Sequence, residues 1–373
     1  MSLLVGVTVV LPFSPNLRRY DMIEEAQVEH VLEEDSASES SPAQKIKQPP
    51  VLFKKTQEII RKTEKILGKK LVAYWTSRSG AVFDDDVISL HNLFKRIGKS
   101  DDIALFIKSN GGKIEAALRV VNIIRTYNRN VTALIPLESA SSATLIALGS
   151  DEIQMGPLAY LTPIDSSLVH ELSPIEELFN SKVAVSQDEI YRIIKLWETN
   201  AHEGHVHPYQ ELFKYVHPLV IGALDRSSSL SIKICKEILS YHLKDQVECE
   251  RISNLLNSEF PSHSYPITLK QAKDIGLNAT EMNDELNDML LELNVLYSEM
   301  AQKATTNFDE WNQHDNQIIK IHESDGIQIY YQNDKDWNYI KEERRWQSLN
   351  DESTWRKNEI INGRRVNSIL HIS

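Results

Sequence analysis

Two short turns and one lysine carry the residue types and spacings that suit acyl transfer. Ser109-Asn-Gly-Gly112 follows the apolar run Ile103-Ala-Leu-Phe-Ile107 and precedes a stretch of helical periodicity over residues 113–126. Backbone N–H groups at a helix N-terminus, approached closely because glycine has no side chain, suit a developing oxyanion. The same residues also suit an ordinary strand-to-helix turn. Glu138-Ser-Ala-Ser-Ser-Ala-Thr144 again separates a strand from a helix, and a serine hydroxyl there gains the positive end of the helix dipole and faces the same crevice. Ser139, Ser141 and Ser142 each equally suit a helix N-cap. Lys182, shortly before the capping box Ser186-Gln-Asp-Glu189, offers an amine that accepts a serine proton if it is held neutral. A lone lysine is ordinarily a solvated surface residue.

Other constellations read as structural. His202-Glu-Gly-His-Val-His207 is not H-E-x-x-H and no cysteine or carboxylate pattern completes it, so it reads as a polar loop and no metal site is expected. Asp84-Asp-Asp86 precedes a helical pattern over residues 87–97 and reads as N-terminal capping and dipole complementation. Cys235 and Cys249 form neither a disulfide framework nor a C-x-x-C pattern, which fits a reducing cytoplasm. There is no G-x-G-x-x-G turn, and no cofactor is expected.

The elements that must position these residues alternate. A helical stretch to Leu67 is followed by the β-rich Leu71–Trp75, then by the helix over 87–97 with Val87, Leu90, Phe94 and Ile97 on one face. Ile103–Ile107, the helix over 113–126, Val131–Ile135, an apolar helix to Leu148 and Glu152–Met155 continue the series. Such short connections predict right-handed βαβ crossovers over a parallel sheet, with ligands bound beyond the carboxyl ends of its strands. Both the Gly-Gly turn and the serine cluster fall at those ends. After about Pro174 the pattern is mostly helical to about Gln302. Gln317–His322, Ser324-Asp-Gly326 and Ile327–Tyr331 then read as a hairpin, and Asn362-Gly363 as the type I′ turn of another. Four of the six tryptophans, Trp311, Trp337, Trp346 and Trp355, lie in this tail.

The expected organisation is an N-terminal segment and acidic, Ser-rich linker (1–50), a catalytic core (51–172), a helical extension completing the core and the oligomer contacts (173–305), and an accessory β-hairpin tail (306–373) whose removal leaves the core folded. Asp and Glu outnumber Lys and Arg by 53 to 41, a net charge of −12, which argues against a nucleic-acid partner or an anionic membrane. The apolar N-terminus, Met1 to Phe13, lacks a basic flank and stops far short of the ~20 residues of a spanning helix. It reads as a strand or docking segment, and no integral membrane segment is expected.

Five motifs in order resemble the serine dehydrogenase proteinase family, Clp-fold serine peptidases related to signal peptide peptidase A and ClpP. They are Ile107 to Ala117, Val131 to Pro136, Ala140 to Met155, Leu161-Thr-Pro-Ile-Asp165 and His263 to Leu277, and the resemblance spans roughly residues 50–280. It implies an α/β fold with a Clp/crotonase-like ββα spiral core. It also implies Ser141 as nucleophile, Ser139 and Asp165 in supporting positions, Gly111 shaping the turn, and an oxyanion hole made by the N–H groups of Gly112 and Ser142. Lys182, 41 residues beyond Ser141, matches the spacing of archaeal relatives that use a Ser-Lys dyad. Asn110 stands where the family usually has proline and Ala143 where it usually has glycine, the latter expected to add a methyl near the oxyanion turn. A Ser-His-Asp triad would need His170, since Pro163-Ile-Asp165 occupies the place of ClpP's histidine.

The function implied is hydrolysis of peptide bonds in a peptide or protein substrate by a cytoplasmic homo-oligomer without a cofactor. The alternatives are a catalytically inactive Clp-fold protein that binds peptides or acts as a scaffold, and a crotonase-like acyl-CoA enzyme in which the serine and lysine have no role.

Overall fold

A computed structural model describes residues 45–164, 167–168, 170–176, 181–183, 185–200 and 207–372. The Met1–Phe13 segment, the linker as far as residue 44, Asp165 and the histidines at 202 and 205 lie outside the described residues. Those from residue 45 onward belong to one compact unit.

In chain order the first elements are α1 (Phe53–Leu67), β1 (Lys70–Thr76), α2 (Asp85–Ile97), β2 (Ser100–Lys108), α3 (Ile114–Tyr127), β3 (Asn128–Ile135), β4 (Glu138–Ser139), α4 (Ser142–Leu148) and β5 (Glu152–Met155). The short strands β6 (Tyr160–Leu161), β7 (Ser167–Leu168), β8 (Ile175–Glu176), β9 (Ser181–Lys182) and β10 (Val185–Ser186) follow. Then come α5 (Gln187–Asn200), α6 (Pro208–Leu212), α7 (Pro218–Leu239), α8 (Gln246–Ser258), α9 (Leu269–Ile275), β11 (Ala279–Glu281) and α10 (Asp284–Met300). The chain closes with β12 (Ala304–Asn307), β13 (Asn312–Ser324), β14 (Ile327–Ile340), β15 (Arg345–Asp351), β16 (Thr354–Ile361) and β17 (Arg364–Leu370).

The expected alternation is present as a Clp/crotonase-like α/β core. Strands β11, β5, β3, β2 and β1 pair in that order, all parallel. Apolar residues on both faces of β1 to β3 bury a helical layer on each side. One face packs against α2, α3 and α4 with α7 and α8 behind them. The other packs against α1 and α10, with Ile59, Ile60, Leu290, Leu293 and Tyr297 beneath Leu71, Ala73 and Trp75.

Residues 306–373 are not the accessory element expected. β13 pairs antiparallel with β1, Ala73 opposite Glu323 and Thr76 opposite Lys320, so β13, β14, β16 and β17, with β12 on β13 and β15 on β14, extend the central sheet to eleven strands. The hairpins themselves are as expected, with the chain turning at Gly326 and at Asn362-Gly363, both in positive φ. The separation fails because β1 has a free edge, and polar alternation in β13 hides how much of it is buried: Lys320, His322, Glu323 and Ser324 are all buried. The region after 173 likewise returns to the sheet through β11. Asp84 caps α2 without a side-chain hydrogen bond and instead pairs with Lys113 and Arg119.

Candidate active site

The carboxyl ends of β2 and β3 meet two irregular turns. At the first, Ser109 donates its N–H to the Glu138 carbonyl (3.1 Å) and accepts the Ala140 N–H on its own carbonyl (2.9 Å), tying the glycine turn to β4. The buried Ser109 hydroxyl accepts the Gly111 N–H (3.2 Å) and the Thr76 hydroxyl (3.0 Å). Gly111 and Gly112 have φ of +92° and +155°, a region that favours glycine. On the outer side, Val82 donates to the Gly111 carbonyl and accepts from Lys113, both at 2.9 Å. The Gly111 N–H is thereby used, whereas no hydrogen bond from the Gly112 N–H is found among the described residues.

At the second turn, Ser141 has φ +52° and ψ −120° at the start of α4, and its side chain makes no capping bond. A non-glycine residue in this conformation costs on the order of 1–3 kcal/mol and persists only where its surroundings impose it. Those surroundings are explicit. The Ser141 N–H donates to the Thr162 hydroxyl (2.8 Å), and the Thr144 hydroxyl bonds to the carbonyls of Ser139 (2.8 Å) and Thr162 (2.9 Å). Gly111 backs onto the elbow so closely that a Cβ there would lie 2.8 Å from Ser141 Cβ and 3.1 Å from Ser142 N.

Of the three serines left open by local sequence, only Ser141 combines partial exposure with a strained backbone; Ser139 and Ser142 are fully buried and their hydroxyls have no hydrogen-bond partner among the described residues. The Ser142 N–H is the first of α4 and so lacks an intrahelical acceptor. Ser141, Gly111, Gly112 and Ser142 are thus brought together. Ala143, one residue into α4, is wholly buried in the hydrophobic core. Asn110 is exposed.

Among the described residues Lys182 makes no hydrogen bond to Ser141, and it lies exposed on β9, opposite Ile175. His170 is used locally, its N–H donating to the Ser173 hydroxyl and its Nδ1 accepting from the Leu172 N–H. His207 caps α6 by accepting the Tyr209 N–H. Lys108 adjoins the glycine turn, but its amine is held by the Glu138 carboxylate (2.9 Å) and the Thr76 carbonyl (3.1 Å).

Thr144 and Thr162 are the site residues that chemical reasoning on the sequence passed over. Thr162 stands in the Leu161–Asp165 motif, yet a threonine beside a proline carries no sign that its hydroxyl holds a peptide N–H twenty-one positions back.

Residues 55–170 match the family model described as Clp protease. Two uncharacterized proteins of Methanocaldococcus jannaschii are 23% identical over 212 residues (56% of this chain, 64% of the relative) and 25% identical over 199 residues (52% and 56%). The chain spans less than two thirds of the length of these relatives. Among solved structures, a mutant of the 1510-N membrane-bound stomatin-specific protease aligns at 13% identity over 60% of this chain and 83% of that one, with a TM-score of 0.34. ClpP1 from Listeria monocytogenes aligns at 17% identity over 63% and 99%, with a TM-score of 0.31.

Proposed function

We propose that this chain, whose residues 55–170 belong to the Clp protease family, is a serine peptidase with Ser141 as its nucleophile. The observation that carries this reading is the strained elbow: a serine at φ +52°, its hydroxyl unused as a cap, at the start of α4 and against the Gly111-Gly112 turn. The Ser141 hydroxyl attacks the scissile carbonyl carbon while its proton passes to a base. The N–H groups of Gly112 and Ser142 hold the resulting oxyanion. As the carbonyl re-forms, the C–N bond breaks and the amine leaves with the proton, and water then hydrolyses the acyl-enzyme.

The base is Lys182. An ammonium in water, with a pKa of ~10.4, cannot accept a proton at neutral pH, so its amine has to leave solvent and reach the Ser141 hydroxyl when substrate is bound. Ser139 and Asp165 are supporting residues. No cofactor takes part. The exposed Tyr191 and Leu196 of α5 and Leu219 of α7 support a homo-oligomer, and the acidic net charge is consistent with a cytoplasmic protein. No described helix is long and apolar enough to cross a membrane.

A fluorophosphonate probe followed by peptide mapping tests the nucleophile: labelling at Ser141, lost in Ser141→Ala, is expected. Lys182→Met and Lys182→Arg should both abolish turnover, since neither side chain offers a neutral amine. The exposure of Lys182 favours one rival, a Clp-fold protein that binds peptides without cleaving them. A folded parent protein that never labels at Ser141 yet binds peptides would establish that rival. Light scattering reads the assembly, and a strictly monomeric mass at micromolar concentration would remove the oligomer.

A further inference from the structure

The buried ion pair between α2 and β13 lies two bonds from the glycine turn. Asp86 is wholly buried and its carboxylate meets three donors: the Tyr74 hydroxyl (2.6 Å) and the Phe83 N–H (2.8 Å) on Oδ2, and the Lys320 amine (2.8 Å) on Oδ1. The Asp86 N–H returns to the Phe83 carbonyl (3.1 Å), closing the loop at Phe83 from both sides. Its neighbour Val82 is the residue whose N–H and carbonyl grip Gly111 and Lys113. A Cβ at Gly112 would lie 2.5 Å from both Val82 N and Val82 O, so Val82 lies directly against the glycine turn as well as being hydrogen-bonded to either side of it.

Lys320 is held on the other side just as firmly. It also reaches Asp85 Oδ1 (3.1 Å), whose Oδ2 accepts the Trp355 indole N–H (2.9 Å). Its amine lies 5.2 Å from the Phe83 ring centre and 5.6 Å from that of Trp355. The β13 strand is irregular between Ile318 and Lys320. There the Ile319 carbonyl accepts the Ser77 N–H (2.9 Å) and would lie 2.3 Å from a Cβ on Gly80. Segment 77–86, which walls the turn, is therefore set by β13 and β16.

We propose that Lys320 is a positioning residue for the oxyanion turn, acting through Asp86, Phe83 and Val82. Packing alone does not require it. An apolar pair of similar volume would fill the space at least as favourably, but it would leave the Phe83 N–H without its acceptor and Val82 free to move. The proposal rests on the reading of Ser141 as a nucleophile for its activity readout and on hydrogen exchange for its structural one, so the two can fail separately.

The test uses the full-length chain. Lys320→Met is expected to slow fluorophosphonate acylation of Ser141 about tenfold or more. It should also accelerate amide exchange in residues 77–86 and 109–113, while α1 and α3 stay as protected as in the parent. Lys335→Met, which removes the ion pair with Asp351, should stay within twofold on both measures. Because Lys320→Met leaves a buried carboxylate unpaired and can fail to fold, Trp355→Phe is run beside it. That change keeps an aromatic side chain beside Lys320 while removing the indole N–H that bonds Asp85 and part of the ring that packs there, and a smaller loss, about two- to fivefold, is expected with exchange again confined to the two segments. Parental acylation and exchange in a folded Lys320→Met, or in Trp355→Phe if the former does not fold, overturns the proposal. So does exchange raised uniformly across the molecule. If the parent itself never labels, the nucleophile reading fails, and local exchange in 77–86 and 109–113 alone decides whether Lys320 holds the turn.

Discussion

In the parallel half of the sheet, β1 to β3 are sealed by apolar residues on both faces, whereas the antiparallel half, whose β13 pairs with β1, meets α1 and α2 through buried Lys320, His322 and Glu323, with Gln328 of β14 behind them. The first half is held by burial, which is non-directional and tolerates substitution by volume. The second is held at its junction by directional bonds, each of which needs its partner. Glu323 alone accepts from the Thr56 hydroxyl (2.6 Å) and the side-chain amides of Gln57 (2.8 Å) and Gln328 (2.7 Å). The Ser141 elbow lies at the end of the tolerant half, but segment 77–86, which walls the glycine turn beside it, is bonded to the exacting one.

The largest expected effect breaks the comparison outright. Deleting residues 306–373 exposes the edge of β1 and removes Lys320 from Asp86 and Glu323 from Thr56 and Gln57. The truncated chain should lose cooperative thermal unfolding, followed by circular dichroism. A truncated chain that melts cooperatively near the parent's Tm would show that the parallel half is sufficient by itself.

Within the parallel half, Thr162→Val keeps the volume and removes the acceptor of the Ser141 N–H. Leaving such a group unsatisfied costs about 1–3 kcal/mol. If that cost falls on the elbow, fluorophosphonate acylation slows about tenfold or more, while Thr162→Ser, which keeps the hydroxyl, should recover most of the rate. Equal rates in the two variants would show that the elbow is held by packing.

The same contrast explains what could be read in advance. Runs such as Ile103–Ile107 and Val131–Ile135 announce buried parallel strands because burial writes itself as continuous hydrophobicity. The serine and glycine turns follow from their places at strand ends. Lys320, His322 and Glu323 alternate like a half-exposed hairpin, since sequence shows that a residue is polar and not that its partner arrives from some 230 to 270 positions away. Local sequence left Ser139, Ser141 and Ser142 open and the resemblance selected Ser141, whose φ and partial exposure set it apart from the other two. Lys182, the proposed base, is the reverse case: a spacing in the sequence marks it, while it lies exposed on β9.

The pH dependence of stability sharpens the contrast further. Burial raises the Glu323 carboxyl to about 7 from an ordinary 4.5. A folded pKa above the unfolded one means that this contribution is fully present below about 4.5 and is lost as pH rises through about 7, about 3 kcal/mol in all. Asp86, raised by burial to about 6, has the same sign at lower pH. His322, which burial and then Lys320 hold well below 6.5, opposes both there. Between about pH 6.5 and 8 the Glu323 limb should remain, a fall of about 1 kcal/mol in urea-derived stability, and Glu323→Gln should flatten it. An unchanged slope in that variant would place the titration elsewhere.

The smallest effect marks where the influence of the antiparallel half ends. Gly363 sits at φ +77° in the β16–β17 turn, and a Cβ there would meet nothing within 4 Å. Gly363→Ala therefore adds backbone strain without a steric clash, and alanine in this region costs roughly 1–2 kcal/mol. β17 is exposed along most of its length and among the described residues makes no hydrogen bond to segment 77–86, whereas β16 makes one from Trp355 to Asp85. The Tm should fall by only ~2–4 °C, with acylation of Ser141 unchanged within twofold. A loss of acylation as large as that expected for Lys320→Met would mean that the whole antiparallel half tunes the turn as one unit. Unchanged acylation beside a lowered Tm would confine the coupling to the buried junction at Lys320, Asp86 and Trp355.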